Sequence, residues 1–128
     1  MTQQPAKYAD LSGKRVFVTG GATGIGASVV AGFALQGAQV RFFDIDDAAG
    51  HALADTLGDN VRYQPLDLTD LAAIKPVFQK ISETAGGVDI LVNGAANDTR
   101  HATQDVTPES WRKTLAVNLD HQFFCAQA

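Results

Sequence analysis

At 128 residues the chain is long enough for one globular domain, and its net charge of −4 argues against nucleic acid or anionic membranes as partners. The composition, 45% hydrophobic and 19% charged, predicts a packed core, and no apolar stretch approaches the ~20 residues of a membrane span. The single cysteine, Cys125, excludes an intrachain disulfide and favours a cytoplasmic location.

Short apolar strands alternate with helical patterns after an N-terminal arm at 1–12 that we expect to be mobile. The strands are predicted at 14–19, 39–43, 61–64 and 88–92. The helices are predicted at 24–36, 47–57 and 70–85, and a fourth begins at 107. This alternation predicts an α/β fold, a doubly wound, Rossmann-like parallel sheet in the strand order 3-2-1-4.

Individual residues predict how the helices begin, end and pack. One face of the first helix groups four apolar residues: Ile25, Val29, Phe33 and Ala34. Gly37 is placed to end that helix, and Thr69 is a candidate N-cap of the third. Pro76 should kink the third helix. Thr107, followed by a proline and a glutamate, predicts the start of the fourth.

A glycine-rich turn joins the first strand to the first helix, with the spacing G-x-x-x-G-x-G. Gly20 permits the sharp turn, Gly24 lets backbone N–H groups approach a phosphate, and Gly26 lets the helix lie close to the strand. The helix N-terminus then faces a dinucleotide pyrophosphate with its partial positive charge. The intervening Thr23 and Ile25 belong to the same predicted cofactor site.

An acid at the end of the second strand predicts which dinucleotide is bound. Asp44 lies 18 residues after Gly26, where a carboxylate can accept hydrogen bonds from the adenosine ribose and repel a 2′-phosphate. No lysine or arginine stands in the glycine turn or directly after Asp44, so we expect NAD rather than NADP. Arg41 could reverse this preference, and capping of the next helix is the alternative role for Asp44.

Two more strand ends meet at the same edge of the predicted sheet. Asp67 could accept from the adenine amino group while Leu68 packs on the ring, or Asp67 could cap its own turn. After the fourth strand, Asn93 could brace neighbouring strands, and small residues through Ala95 would let the backbone approach the cofactor. An ordinary loop is the alternative reading of this segment.

Together these residues resemble the classical short-chain dehydrogenase/reductase family over essentially the whole chain. The match includes the glycine turn, Asp44 and Asp67-Leu68, while the family's Asn-Asn-Ala-Gly element is altered at Gly94 and Ala96. The resemblance implies transfer of a hydride between an alcohol and NAD. It also implies that Asn118 is the catalytic-helix asparagine, whose backbone holds a water in a proton relay.

The resemblance implies that the family's catalytic serine and Tyr-x-x-x-Lys pair lie beyond residue 128, because family members are about twice as long. Neither Tyr8 nor Tyr63 has a lysine four residues on, so neither can substitute. The last eight residues are typical of the middle of a helix, without a C-cap. We therefore expect 1–128 to be the N-terminal, dinucleotide-binding portion of a single domain truncated before that pair, and to be inactive alone.

The loop after the fourth strand resembles the branch of the family that oxidises sugars at C1. Its polar residues, Asn97, Asp98, Arg100 and His101, would suit a polyhydroxyl substrate. The alternative is a solvated loop with an Asp98–Arg100 pair. The matching helix of the family packs against its counterpart in a dimer, so Val117 and Phe124 are expected to face a second copy.

The remaining residues and two alternative functions complete the predictions. Trp111 is expected in the core or at a subunit interface. The three histidines lack metal-ligand spacing, so no metal site is expected. A stand-alone or partner-dependent NAD(H)-binding module is the main alternative to an enzyme, and a methyltransferase-like binder of another adenosine cofactor is the third.

Overall fold

The computed structural model describes residues 6–128, which form a parallel sheet with helices on both faces. The strands are Arg15–Thr19 (β1), Gln39–Asp44 (β2), Val61–Pro65 (β3) and Ile90–Asn93 (β4). The helices are Gly24–Leu35 (α1), Asp47–Leu57 (α2), Leu71–Ala85 (α3), Pro108–Leu115 (α4) and His121–Gln127 (α5). A π-helical segment, Ala116–Asp120, joins α4 to α5. Each predicted strand and helix is therefore present.

The strand order is β3-β2-β1-β4 and all pairs are parallel, which confirms the predicted topology. β1 lies in the centre, with β2 and β4 on its two sides. Because all four strands run the same way, their carboxyl ends meet at one edge of the sheet. The loops that follow these ends carry most of the predicted site residues.

Apolar residues cover both faces of the sheet, as expected for parallel strands. On one face, Val18 and Phe42 pack with Val30 of α1 and are completely buried. On the other, the ring of Phe78 from α3 stacks on Phe43, with centroids 4.7 Å apart. Cys125 of α5 joins this second cluster, and burial raises the pKa of its thiol to about 12. The cysteine is therefore a protonated core residue.

The first helix packs through most of the predicted face, since Val29, Phe33 and Ala34 lie against the core and only Ile25 does not. Gly26 and Val30 are its buried residues, and Val29 and Phe33 are only partly buried. Ile25 was expected on the buried face but is 86% exposed. The reason is that Gly26 must lie against the backbone of Gly20, which turns its neighbour away from the sheet. Gly37, at φ +80°, follows the helix as predicted.

One prediction about the third helix, its N-cap, differs from the structure. Thr69 is not its N-cap, because the Thr69 N–H and hydroxyl both donate to Asp67 Oδ1, at 2.9 and 2.7 Å. The residue at the cap position is Asp70, whose side chain makes no capping hydrogen bond. The helix includes Pro76 within one element, Leu71–Ala85, and the kink expected there stays a prediction.

The N-terminal arm is held against the first helix over the part that the structure describes. The prediction for 1–5 lies outside the described residues. Ala9–Leu11 form a 3-10 turn. The Tyr8 N–H donates to Gln36 Oε1 at 2.8 Å, and Gln36 Nε2 donates to the Ala6 carbonyl at 2.9 Å. These hydrogen bonds place the segment against α1, and its mobility stays a prediction.

Candidate functional site

A cavity of about 880 Å³ opens at the carboxyl edge of the sheet and is called the carboxyl-edge cavity below. It brings together nine of the ten predicted cofactor residues: Gly20, Thr23, Gly24, Ile25, Gly26, Asp44, Asp67, Leu68 and Ala95. Asn93 is the exception. Its side chain points to the last helix, where Nδ2 lies 3.5 Å from the Gln122 carbonyl, so it does not brace neighbouring strands.

The glycine turn is shaped by close contacts that a side chain would prevent. A Cβ at Gly26 would lie 1.8 Å from the Gly20 carbonyl oxygen, and one at Gly20 would lie 2.5 Å from Ala95 Cα. Gly20 and Gly24 have φ values of +68° and +57°, which favour glycine. Nothing lies within 4 Å of a Cβ at Gly24, so open space adjoins the backbone there.

The start of α1 presents backbone N–H groups to this open space. The Ala27 N–H donates to the Thr23 carbonyl at 3.1 Å, while Gly24, Ile25 and Gly26 precede it and have no intrahelical acceptor. The side chain of Thr23, at the N-cap position, makes no capping hydrogen bond. Unpaired donors at the positive end of a helix are suited to an anion such as a pyrophosphate.

Asp44 fastens the glycine turn to the end of β2. Its Oδ2 accepts from the Ala22 N–H at 3.0 Å, and its Oδ1 accepts from the N–H groups of Ile45 at 2.8 Å and Asp46 at 3.2 Å. A carboxylate has about four acceptor positions, so about one remains for a ligand in the cavity. Capping of α2, the alternative role, belongs instead to Asp46, which accepts from the Ala49 N–H.

Arg41 lies away from the carboxyl-edge cavity. Together with Arg15 and Arg62 it lines a separate cavity of about 250 Å³. Burial lowers the pKa of Arg41, and the neighbouring charge of Arg62 lowers it further. The one residue that could have reversed the predicted cofactor preference is therefore in another part of the molecule.

Asp67 caps its own turn and faces the cavity at the same time. Thr69 occupies Oδ1, and Oδ2 has no hydrogen-bond partner among residues 6–128. The two hydrogen bonds from Thr69 lower the pKa of this carboxyl, which keeps it ionised and able only to accept. The two proposed roles for Asp67 are thus compatible. Leu68 beside it is 6% exposed and mostly part of the core.

Asn118 holds the loop after β4 in place. Its Oδ1 accepts from the Asn97 N–H at 2.7 Å, and its Nδ2 donates to the Asn97 carbonyl at 2.8 Å. The residue lies in the π-helical segment, and its own carbonyl accepts from Gln122 Nε2 at 2.9 Å. The side chain therefore clamps the loop, and the carbonyl has one acceptor position filled by Gln122.

The predicted substrate residues divide into two pairs. Asn97 and Asp98 line the carboxyl-edge cavity, but Arg100 and His101 do not. Asp98 and Arg100 do not form the ion pair that the alternative reading expected, since Arg15–Asp89 is the one found among the described residues. Which of these side chains reaches a substrate depends on how the loop folds, and the sequence pattern carries no signal for that.

Several residues of the site were not found from the sequence. Lys113 of α4 and Val117 of the π-helical segment line the cavity, and Thr19 and His121 are completely buried. Lys113 and Val117 are four residues apart and therefore lie on one side of a helix, and Val117 directly precedes Asn118. This spacing was the signal that could have placed both beside the predicted Asn118. Val117 thus faces the cavity, and its contact with a second copy stays a prediction.

The last helices expose several large apolar side chains. Trp111 is 59% exposed, so it is not a core residue, and Phe123 and Phe124 are exposed as well. Pairing of these helices with a second copy stays a prediction. Among the described residues, no helix combines the length and apolar character needed to cross a bilayer, and no three potential metal ligands cluster.

Known proteins share this fold and much of this sequence. Among curated proteins, a D-xylose 1-dehydrogenase of Caulobacter vibrioides is 50% identical over 126 residues, covering 96% of this chain and 49% of that protein. A probable galactose dehydrogenase of Rhizobium meliloti is 40% identical, covering 100% of this chain and 52% of that protein. The chain spans about half the length of these curated relatives.

Solved structures and a family model agree with these matches. A double mutant of a Serratia marcescens short-chain dehydrogenase/reductase superposes with a TM-score of 0.85 at 33% identity, covering 91% of this chain and 49% of that one. The model of the family described as short chain dehydrogenase matches residues 14–128. The fold, the glycine turn and these matches show that the chain belongs to the short-chain dehydrogenase family.

Proposed function

We propose that residues 14–128 form the nucleotide-binding part of an NAD-dependent dehydrogenase that acts on a sugar. The observation that carries this proposal is the carboxyl-edge cavity, in which the free N–H groups of α1 and the Asp44 carboxylate share one space. The membership of a dehydrogenase family supports the reaction class. The D-xylose and galactose dehydrogenases among the relatives support a polyhydroxyl substrate.

The residues present fit a dinucleotide. The first turn of α1 would hold the pyrophosphate, Asp44 would accept from the adenosine ribose, and Asp67 Oδ2 would accept from the adenine amino group. The tight contacts at Gly20 and Gly26 leave the space at Gly24 open for the phosphates. When bound, the nicotinamide supplies the acceptor for a hydride from the alcohol carbon.

The loop after β4 would contact the substrate. Asn97 and Asp98 lie at the cavity, and the amide of Asn118 fixes the Asn97 backbone from the other side. Polar side chains on a held backbone can bind sugar hydroxyls in a defined orientation. Arg100 and His101, outside the cavity, would contribute only after the loop moves.

The proposal predicts that the chain binds NAD⁺ at least about tenfold more tightly than NADP⁺, a difference of ~1.4 kcal/mol. Isothermal titration with both nucleotides measures the two dissociation constants directly. Asp44→Ser removes the charge that would repel a 2′-phosphate, so the ratio should fall toward one. Asp46→Ser removes a nearby charge but keeps a capping side chain, so it should leave the ratio unchanged. Tighter binding of NADP⁺ to the unaltered chain would contradict the proposal.

A binding module without catalysis is the second candidate. It is favoured by the absence of a Tyr-x-x-x-Lys sequence from 1–128. The reading frame that follows Ala128 in the gene discriminates between the two. An open frame encoding that sequence supports the enzyme, and a stop codon directly after Ala128 supports the module. A thermal shift with S-adenosylmethionine equal to that with NAD⁺ would support the third candidate, a binder of another adenosine cofactor.

A further inference from the structure

His121 and Thr19 are the two completely buried polar side chains among the described residues, and they contact each other. His121 Nε2 lies 3.2 Å from Thr19 Oγ1, and His121 Nδ1 contacts the Val117 carbonyl oxygen. Thr19 ends β1 directly before the glycine turn, whereas Val117 lies in the π-helical segment next to Asn118. The imidazole ring therefore joins two elements that border the carboxyl-edge cavity.

The neighbours of the Thr19 hydroxyl determine which of its hydrogen bonds are donated and which are accepted. Its oxygen accepts from the Gly94 N–H at 3.1 Å and from the Ala95 N–H at 3.3 Å. A hydroxyl has two acceptor lone pairs and one hydrogen, so these two amides fill its acceptor capacity. The hydrogen of Thr19 must then be donated to His121 Nε2.

The other ring nitrogen has the opposite role. The Val117 carbonyl oxygen can only accept, so Nδ1 of His121 must carry a hydrogen and donate it. Nε2, which accepts from Thr19, carries none. The ring is therefore neutral in the Nδ1–H form. A second hydrogen on Nε2 would face the Thr19 oxygen, where no lone pair remains, and would compete with the Ala95 N–H for it. The Gly94 N–H would keep its second acceptor, the Thr19 carbonyl at 3.1 Å.

We propose that His121 is a positioning residue for the cofactor site. The loop after β4 is held at two points, by Thr19 at Gly94 and Ala95 and by Asn118 at Asn97. Through Thr19 and Val117, the His121 ring links these two points and fixes the loop relative to the π-helical segment. Its effect on cofactor affinity rests on the proposed function, whereas its tautomer and its effect on the loop do not.

The tautomer is measured by two-bond ¹⁵N–¹H NMR correlation on the labelled chain at neutral pH. The expected pattern for His121 is a protonated Nδ1 and an unprotonated Nε2. Thr19→Ser keeps the hydroxyl and should keep this pattern, whereas Thr19→Val removes the donor to Nε2 and should shift its resonance. A protonated Nε2, or an imidazolium, would overturn the assignment.

The positioning effect is measured by amide hydrogen exchange at Gly94 and Ala95 and by NAD⁺ titration. His121→Leu removes both ring contacts, so exchange should accelerate and the NAD⁺ dissociation constant should rise about tenfold. His121→Gln has an amide oxygen able to accept from Thr19, and it should recover most of the affinity. Val30→Ala lies in the core on the opposite face of the sheet and should lower the stability of the whole fold. It should leave the NAD⁺ affinity unchanged, and also the exchange rates of Gly94 and Ala95 relative to those of the other amides.

The outcomes separate this proposal from the proposed function. If the unaltered chain binds no NAD⁺, the proposed function fails, and the tautomer and exchange measurements still decide the role of His121. If His121→Leu folds and keeps both slow exchange and full affinity, His121 is not a positioning residue. If His121→Leu does not fold, Thr19→Val compared with Thr19→Ser applies the same test to the other end of the link.

Discussion

At Gly26 the backbone approaches itself more closely than at any other glycine of the described chain. The site of its missing Cβ lies 1.8 Å from the Gly20 carbonyl oxygen, which belongs to backbone and cannot rotate away. The amides at the start of α1 occupy their present positions because this contact is possible. One residue without a side chain thus sets the geometry of the proposed phosphate site.

Gly26→Ala should therefore destabilise the fold and abolish NAD⁺ binding. An inserted methyl group in a packed site costs about 1–3 kcal/mol, and backbone on both sides places this substitution at the upper end. Urea denaturation measures the loss in free energy of unfolding, and titration measures the loss of binding.

Gly32→Ala is the matched control in the same helix. Nothing lies within 4 Å of a Cβ at Gly32, so the alanine should stabilise α1 by ~0.5–1 kcal/mol and leave binding intact. Equal effects of the two substitutions would show that helix propensity, and not the Gly20 contact, explains the glycine at position 26.

At the scale of elements, Arg15 and Asp89 fasten the first residues of β1 to the start of β4. Arg15 Nε donates to Asp89 Oδ2 and Arg15 Nη2 donates to Asp89 Oδ1, both at 2.9 Å. The backbones add two more hydrogen bonds, from the Arg15 N–H to Oδ2 and from the Asp89 N–H to the Arg15 carbonyl. This paired geometry sets the register of two strands that are distant in sequence.

The Arg15–Asp89 ion pair predicts that the free energy of unfolding falls at acidic pH. Hydrogen bonds from Arg15 hold the pKa of the Asp89 carboxyl well below its ordinary value of 3.8. A lowered folded pKa contributes stability that is fully present above the unfolded value and is lost as the pH falls toward the folded one. Asp89→Asn should therefore be less stable than the unaltered chain at neutral pH, with the difference shrinking below about pH 3.8.

Urea denaturation over a pH series checks this expectation. Asp55→Asn, an exposed position on α2, removes the same charge and should follow the unaltered chain at every pH. Arg15→Lys keeps the charge but not the two-pronged geometry, and should behave like Asp89→Asn. A constant difference between the Asp89→Asn and unaltered chains across the series would refute the linkage.

The π-helical segment is an element that the sequence did not predict. The pattern from 107 onward is that of one continuous helix, and its start at Thr107 is confirmed by the capping box with Ser110. The π-helical turn at Ala116–Asp120 contains Asn118, which contacts Asn97, and directly precedes His121, which contacts Thr19. Local periodicity contains no information about such partners, so the break could not be found from it.

At the scale of the whole molecule, residues 1–128 carry the proposed cofactor site but no Tyr-x-x-x-Lys sequence. We expect this chain to bind NAD⁺ weakly and to oxidise neither D-xylose nor galactose, because no tyrosine is followed by a lysine at the required spacing. NAD⁺ should still raise the melting temperature, since a ligand that binds only the folded state stabilises it.

Thermal unfolding and NADH formation, measured on a preparation of verified mass, test the two parts separately. A melting temperature that rises with NAD⁺ concentration, without NADH formation from either sugar, is the expected result. Turnover by this chain would show that other residues supply the proton transfer.

The sequence by itself determined the strand order, the glycine turn and the placement of Asp44. These follow from local rules: apolar periodicity selects the elements, and parallel strands bring their carboxyl ends to one edge. Only the tertiary structure decided which loop residues reach the cavity, why Ile25 is exposed, and that Asn118 and His121 hold the loop after β4. Those outcomes depend on contacts between residues up to 102 positions apart, and such contacts leave no periodic pattern along the chain.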